Sequence, residues 1–179
     1  MHGAAGGLGT AACQLAVAYG ARVIAVVSTP EKGEVARAAG AHDVVPVDGF
    51  RDQVRRLTGG RGVHVIVDPV GGDRFTDSLR SLAREGRLLV LGFTGGEIPT
   101  VTVNRLLLTN TSVLGVASAE FWTDEPDYPG RQWRDLVPLI ESGAIDPPIG
   151  PLFALEDAAA AIRSLDERRA AGRVLIRTR

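Results

Sequence analysis

A chain of 179 residues and 18.9 kDa with 45% hydrophobic residues carries enough apolar side chains for one packed domain with a small tail. Its formal net charge of −1 removes the electrostatic basis for binding nucleic acid or an anionic membrane surface. No apolar run approaches the roughly 18 residues that span a bilayer, no secretory leader is visible, and the single cysteine, Cys13, excludes an internal disulfide or a cysteine-rich zinc site, so a cytoplasmic compartment is expected.

The chain opens on a glycine-rich run, Gly3-Ala4-Ala5-Gly6-Gly7-Leu8-Gly9. Ala4-x-Gly6-x-x-Gly9 fills the G-x-G-x-x-G frame, with alanine at the first glycine. Behind it Leu8, Ala12, Leu15 and Tyr19 fall at spacings of four, three and four, which predicts a helix with this stripe inward and Gly20 at its end. Residues 22–27 are too apolar and β-branched for an exposed strand. A helix over 30–39 closed by Gly40 follows, then a short strand over 43–47. Phe50, Val54 and Leu57 mark a helix stopped by Gly59-Gly60, and 63–68 is a strand. Phe75, Leu79 and Leu82 mark a helix running to Gly86, with strands over 87–93 and 112–117. Residues 119–132, with Phe121, Trp122, Tyr128 and two prolines, read as an exposed loop that lines a substrate cleft or a subunit contact. Trp133, Leu136, Val137 and Ile140 mark a helix that Pro138 should kink or shorten. Asp-Pro-Pro-Ile-Gly-Pro at 146–151 reads as a boundary; 155–168 is helical and 173–177 is a last strand.

This alternation predicts an α/β fold of the Rossmann type, a doubly wound parallel sheet covered by helices on both faces. Residues 1–145 form the dinucleotide-binding domain and 146–179 a C-terminal helix and strand. The glycine loop has no strand before it, so the first, central strand of the sheet is missing. A glycine loop that opens a helix lets the backbone approach a diphosphate, and the free N–H groups and dipole of the helix end hold its charge.

The choice of dinucleotide follows from the end of the second strand, where NAD-binding sheets place a carboxylate on the ribose 2′-hydroxyl. That position, nineteen residues beyond Gly9, reads Val27-Ser28-Thr29-Pro30-Glu31-Lys32, and the strand ends without an acid. Ser28 and Lys32 instead suit a 2′-phosphate. Lys32 is the one lysine among 20 basic residues. With Thr29 as cap and Pro30 first in the helix, it falls in the first turn, where a cation opposes the helix dipole by roughly 0.3–1 kcal/mol unless an anion sits beside it. NADPH is expected in preference to NADH.

Together these motifs resemble the zinc-free quinone oxidoreductase branch of the medium-chain dehydrogenase/reductase family. The matching residues are Gly3 to Gly9 with Thr10, Ser28-x-Pro-Glu-Lys32, Ala38-Ala39-Gly40-Ala41, and Leu57-Thr58-Gly59-Gly60-Arg61-Gly62-Val63. Val67-Asp68-Pro69-Val70-Gly71-Gly72, Gly86 to Phe93, Gly95-Gly96-Glu97-Ile98-Pro99 and Gly172-Arg173-Val174-Leu175-Ile176 continue the match in order. The resemblance implies that Ala5, Gly6, Gly7 and Leu8 contact the diphosphate and that Ser28 and Lys32 take the 2′-phosphate. It implies that Val70 and Gly71 border the nicotinamide, with Gly92 and Phe93 close by. Related reductases often carry a tyrosine after the third strand; Val47 stands there, so the NADPH expectation rests on Ser28 and Lys32 alone.

The implied reaction is hydride transfer from NADPH to a quinone or another conjugated carbonyl, in a homodimer joined through the strand over 112–117. Family members carry an N-terminal catalytic domain that this sequence lacks, and the tail after 150 resembles the segment that packs on it. Two readings follow: part of a longer protein, or a stand-alone remnant. The isolated chain is expected to be inactive, and a non-catalytic nucleotide-sensing module is the alternative. No catalytic residue and no metal ligand is assigned. His2, His42 and His64 show no metal-binding spacing, and His2 reads as an exposed terminal side chain. No Gly-x-Ser-x-Gly elbow is present, nor a tyrosine four residues before Lys32 as a short-chain dehydrogenase would need.

Overall fold

The computed structural model describes residues 1–167 and 169–178. Its elements, in chain order, begin α1 (Gly7–Ala18), β1 (Ile24–Val27), α2 (Pro30–Ala38), β2 (Asp43–Pro46), α3 (Phe50–Leu57) and β3 (Val63–Asp68). A short 3-10 turn then leads to α4 (Phe75–Ser81), β4 (Leu82–Val90), α5 (Asn104–Thr109) and β5 (Ser112–Gly115). They end with α6 (Ser118–Asp124), α7 (Tyr128–Glu141), β6 (Ile149–Ala154), a second 3-10 turn, α8 (Ala158–Asp166) and β7 (Arg173–Arg177). Among the described residues no helix is long and apolar enough to cross a membrane.

The strands lie in sheets ordered β1-β2, β3-β4-β5 and β6-β7. The first two orders are the neighbours that a 3-2-1-4-5-6 sheet keeps when its first strand is taken out. β3 with β4, β4 with β5, and β6 with β7 all run parallel. Strand–helix alternation with parallel ladders is the α/β architecture that the sequence pattern predicts.

The chain divides into two compact units, with the divisions falling inside β2 and at Pro138 inside α7. One unit holds Met1–His2 and Val45–Val137. Its core is Ile66 of β3, Phe75 and Leu79 of α4 and Leu88 of β4, edged by Val63, Leu82, Val90, Val101, Leu106 and Val113. Full burial of such side chains stabilises by about 1.5–3 kcal/mol each. The other unit holds Gly3–Val44 and the chain from Pro138 onward. There β1 is buried along its whole length, and Ala36 and Ala39 press α2 inward. Gly33 lets α2 approach, since a Cβ on it would lie 3.1 Å from Val44 Cγ1.

Several elements differ from the sequence pattern. α1 buries Gly9, Thr10 and Cys13, while Leu8 and Tyr19 of the expected stripe are 46% and 66% exposed. Small residues therefore set the packed face of this helix. β4 begins at Leu82, five residues before the expected start, and ends at Val90. Helix α4 stops at Ser81, whose hydroxyl donates back to Asp77 O at 2.7 Å, and Leu82 is already extended. The early part of β4 carries an irregularity: Leu82 pairs with Val63 but Arg87 with Val65, and Glu85 takes the left-handed φ of 62°. Gly92 and Phe93 leave the sheet because Thr94 and Gly95 bond to Pro69 and Val70 instead.

Residues 119–124 and 128–132 are helical, joined by a short turn, where the sequence pattern predicted a loop. α6 ends at Asp124, and α7 starts at Tyr128 with Pro129 in its first turn, where the missing N–H has no intrahelical partner to lose. α7 also runs through Pro138 to Glu141. α5 and β6 have no counterpart in the sequence reading. β6 contains Gly150 and Pro151 and exists because β7 pairs with it; a Cβ on Gly150 would meet the Ala171 and Arg173 carbonyls. α8 ends at Asp166; Arg168, where the helix was expected to end, lies outside the described residues.

His2 is the largest departure. It is 2% exposed rather than solvated, with its N–H on Val67 O at 3.0 Å and its ring edge-on to Phe50. Ser78 Oγ donates to Arg74 O at 3.0 Å, so at 2.8 Å it accepts from a protonated His2 Nε2. Nδ1 then stays bare and buried. Burial, followed by the N-terminal ammonium and Arg74, pushes the His2 pKa down to about 3. The folded pKa lies below the unfolded value of about 6.5, so the stability this histidine permits is complete above that pH and is lost as pH falls toward 3. At pH 5 the loss is about 2 kcal/mol. Urea unfolding at pH 7.5 and pH 5 should show a His2→Gln variant losing about 2 kcal/mol less than the unaltered chain between the two.

Candidate functional site

The residues singled out for cofactor binding fall into two groups, one in each unit. The first is the glycine loop. Gly6 N donates to Gly3 O at 3.1 Å and closes the turn, with Gly3 at φ 58°. At Gly9 a Cβ would run into the Gly3 carbonyl oxygen and sit 2.6 Å from Ala4 Cα, so only glycine lets the helix start this close to the loop. Gly6 is the N-cap, in extended conformation, and no side chain caps α1. Thr10, the nearest hydroxyl, turns back to Gly6 O and Gly7 O at 3.1 and 3.3 Å. The loop therefore presents a helix N-terminus that carries neither a capping side chain nor an acid in its first turn.

Behind the loop, Ala4 and Ala5 are buried and Gly172 N donates to Ala5 O at 2.8 Å. Gly6 and Gly172 form a parallel bridge. This places Arg173, first residue of β7, against Gly7: a Cβ on Gly7 would lie 3.1 Å from Arg173 Cδ and 3.2 Å from Nε. Arg173 is a cation at the loop that the sequence reading counted only as part of the last strand. No local signal marks it, since it arrives through pairing across more than 160 residues.

In the same unit, β1 ends at Val27 and Thr29 caps α2, accepting from Lys32 N at 3.3 Å, with Pro30 first in the helix. This is the arrangement expected from the sequence. Lys32 Nζ donates to Ser28 Oγ at 3.3 Å, so a hydroxyl and an ammonium stand together on the surface just past the strand. Glu31 is held below the usual carboxylate range chiefly by the Thr29 hydroxyl.

The second group surrounds the end of β3. Asp68 Oδ1 accepts from Val70 N at 2.8 Å and Gly71 N at 3.0 Å, forming a tight turn across Pro69. Gly71 has φ 64° and ψ −146°, a conformation open to glycine alone. A Cβ there would lie 3.1 Å from Phe93 Cδ1 and 3.3 Å from Glu97 O. Gly92 lies below Pro69 O, and Phe93 is 40% exposed. The structure thus brings Val70, Gly71, Gly92 and Phe93 together. The other histidines serve structure or face water: His42 Nδ1 accepts from Val23 N at 3.1 Å, and His64 is exposed. Among the described residues no group of three His, Cys, Asp or Glu is placed to hold a metal.

Parallel strands joined by crossover helices, with a glycine loop leading into an uncapped helix, define a Rossmann-type domain. The zinc-binding dehydrogenase family model matches residues 7–142, and the chain belongs to that family. It is 38% identical over 176 residues to quinone oxidoreductase-like protein 2 of Rattus norvegicus, covering 97% of this chain and 50% of the relative. Among solved structures it is similar to a probable oxidoreductase of Mycobacterium abscessus (TM-score 0.86, 39% identity, 99% of this chain and 53% of that one). It is also similar to the quinone oxidoreductase of Escherichia coli complexed with NADPH (TM-score 0.87, 31% identity, 99% of this chain and 56% of that one). The chain spans about half the length of these proteins.

The close approach at Gly9 has a direct test. Gly9→Ala should lower stability by about 1–3 kcal/mol in urea unfolding, because its methyl group meets backbone that cannot step aside. Gly6→Ala, whose Cβ would sit 3.5 Å from Gly3 O, should cost less than about 1 kcal/mol.

Proposed function

We propose that this chain is the NADPH-binding part of an oxidoreductase that reduces a quinone or another conjugated carbonyl. The observation that carries the reading is the paired chemistry of the first unit: an uncapped helix N-terminus behind a glycine loop, and a Ser28–Lys32 pair where the strand ends without an acid. The residues fit the cofactor. The N–H groups of Gly7 and Leu8 at the start of α1 would hold the diphosphate, with Ala5 and Gly6 leaving the loop backbone open to it. Arg173 would add a cation there. Ser28 would donate to the 2′-phosphate and Lys32 would neutralise it, relieving the opposition between the ammonium and the α2 dipole.

Val70 and Gly71, with Gly92 and Phe93, would border the nicotinamide. Bound NADPH supplies the hydride; the residues assigned here bind and orient it, and none is given a proton-transfer role. NADPH-complexed relatives support the choice of cofactor, and relatives called quinone oxidoreductases support the substrate class.

Residues 1–145 are read as the cofactor domain and 146–179 as a segment that packs on a substrate-side partner surface. The second assignment draws support from Ile149, Leu152, Leu155, Ile162 and Leu165, all at least half exposed. For β5, at the end of its sheet with Leu114 and, just past the strand, Val116 each 43% exposed, the matching reading is a homodimer contact. Cytoplasmic location completes the proposal.

Titration calorimetry tests the cofactor assignment. NADPH should bind more tightly than NADH. Ser28→Ala and Lys32→Ala should each weaken NADPH about tenfold while changing NADH little, the cost of one charge-assisted hydrogen bond. Equal affinity for the two cofactors in the unaltered chain would falsify the 2′-phosphate role of this pair.

A further inference from the structure

Resting on the cofactor reading above, we infer that Asp68 is the positioning residue of the nicotinamide side, setting the Val70–Gly71 turn through one buried carboxylate oxygen. Asp68 ends β3 and is 1% exposed, a costly place for a carboxylate unless hydrogen bonds hold it. Its Oδ1 takes both available amides of the turn, Val70 N and Gly71 N, because Pro69 between them and the strand has none.

The carbonyls of the turn are fixed from the other side. Pro69 O accepts from Thr94 N and Thr94 Oγ1, both at 3.1 Å, and Val70 O accepts from Gly95 N at 2.8 Å. Leu91 N donates to Asp68 O at 2.9 Å and Gly72 N to Glu97 O at 3.1 Å. Every backbone donor and acceptor of Pro69 and Val70 is thereby engaged. What the turn has left to present is apolar: the Val70 side chain, and the Phe93 ring lying against Gly71.

The carboxylate is the one side-chain member of this network on the amide side. Gly71 occupies a backbone region far from the relaxed basins of other residues, and two hydrogen bonds to Oδ1 select it from the many that glycine can visit. Without them the turn is held through its carbonyls alone, and the Val70 and Gly71 amides lose their anchor. Asp68 makes no assigned contact with cofactor; it acts through Val70 and Gly71.

The experiment compares two probes that share the adenosine 2′-phosphate end, NADPH and 2′-phospho-ADP-ribose, by titration calorimetry on the full chain. Asp68→Ala should weaken NADPH about tenfold and leave 2′-phospho-ADP-ribose within about twofold. Asp68→Asn, which keeps the Oδ1 acceptor, should restore NADPH to within about threefold. If Asp68→Ala does not unfold cooperatively, Gly71→Ala replaces it. That variant moves the turn while the carboxylate stays, and the same NADPH-only loss is expected. Equal loss on both probes makes the effect general to the fold and overturns the inference. So does unchanged NADPH affinity. An unaltered chain that binds 2′-phospho-ADP-ribose as tightly as NADPH overturns the inference but leaves the 2′-phosphate assignment standing. Binding of neither probe overturns the cofactor reading and this inference with it.

Discussion

Among the glycines of the described residues, the tightest position is Gly9, where backbone meets backbone. The first turn of α1 runs so near Gly3 and Ala4 that any side chain on Gly9 would occupy the space of the main chain. The rest of the loop follows from this contact. Ala4 and Ala5 are driven into the interior, Gly6 takes the cap position without a capping side chain, and Gly172 can bond to Ala5 from behind. With glycine at the cap position, this helix start carries no capping side chain and no acid in its first turn. Its electrostatic demand is therefore left for a bound anion, which is the physical basis for reading it as a phosphate site.

Two buried polar residues in the other unit illustrate different solutions to the same problem. His2 escapes the cost of burial by staying neutral, with one ring nitrogen on Ser78 and the other without a partner. Asp68 uses one oxygen for two amides and leaves the second unpaired. The first arrangement ties the chain start to α4, and the second organises a turn at the end of a parallel strand. Ligands of α/β sheets gather beyond those strand ends. A buried carboxylate that accepts two amides there fixes the backbone of the turn at that strand end.

On the exposed surface the same logic appears with opposite sign. Lys32 sits in the first turn of α2, where the dipole disfavours it, and its ammonium meets the Ser28 hydroxyl. Thr29 caps that helix through the Lys32 amide, while the Lys32 ammonium reaches back to the strand end. The cation stands beside a hydroxyl, just past a strand that ends without an acid, and the proposed 2′-phosphate role rests on that pairing.

How far the sequence reached can be judged residue by residue. Strand 63–68, the last strand, the Thr29 cap with Pro30 behind it and the helix from Phe50 were legible because each rests on local rules: β-branched runs, cap chemistry and helical spacing. The glycine loop was legible for the same reason. What packed against what was not. The buried face of α1 is made of Gly9, Thr10 and Cys13 because close approach favours small residues, against a pattern that pointed to Leu8 and Tyr19. The helices over 118–124 and 128–141 accommodate Pro126 between them and Pro129 where no helical N–H is required, and α7 continues through Pro138, which the sequence pattern expected to kink or shorten it. β6, Arg173 at the loop and the buried His2 depend on partners far away in the chain. Local pattern by itself determined the class of fold and the glycine loop that opens α1. Long-range pairing decided which cations reach that loop, which polar groups are sealed inside, and how the turn after β3 is held, because those are properties of contacts that no short window of sequence contains.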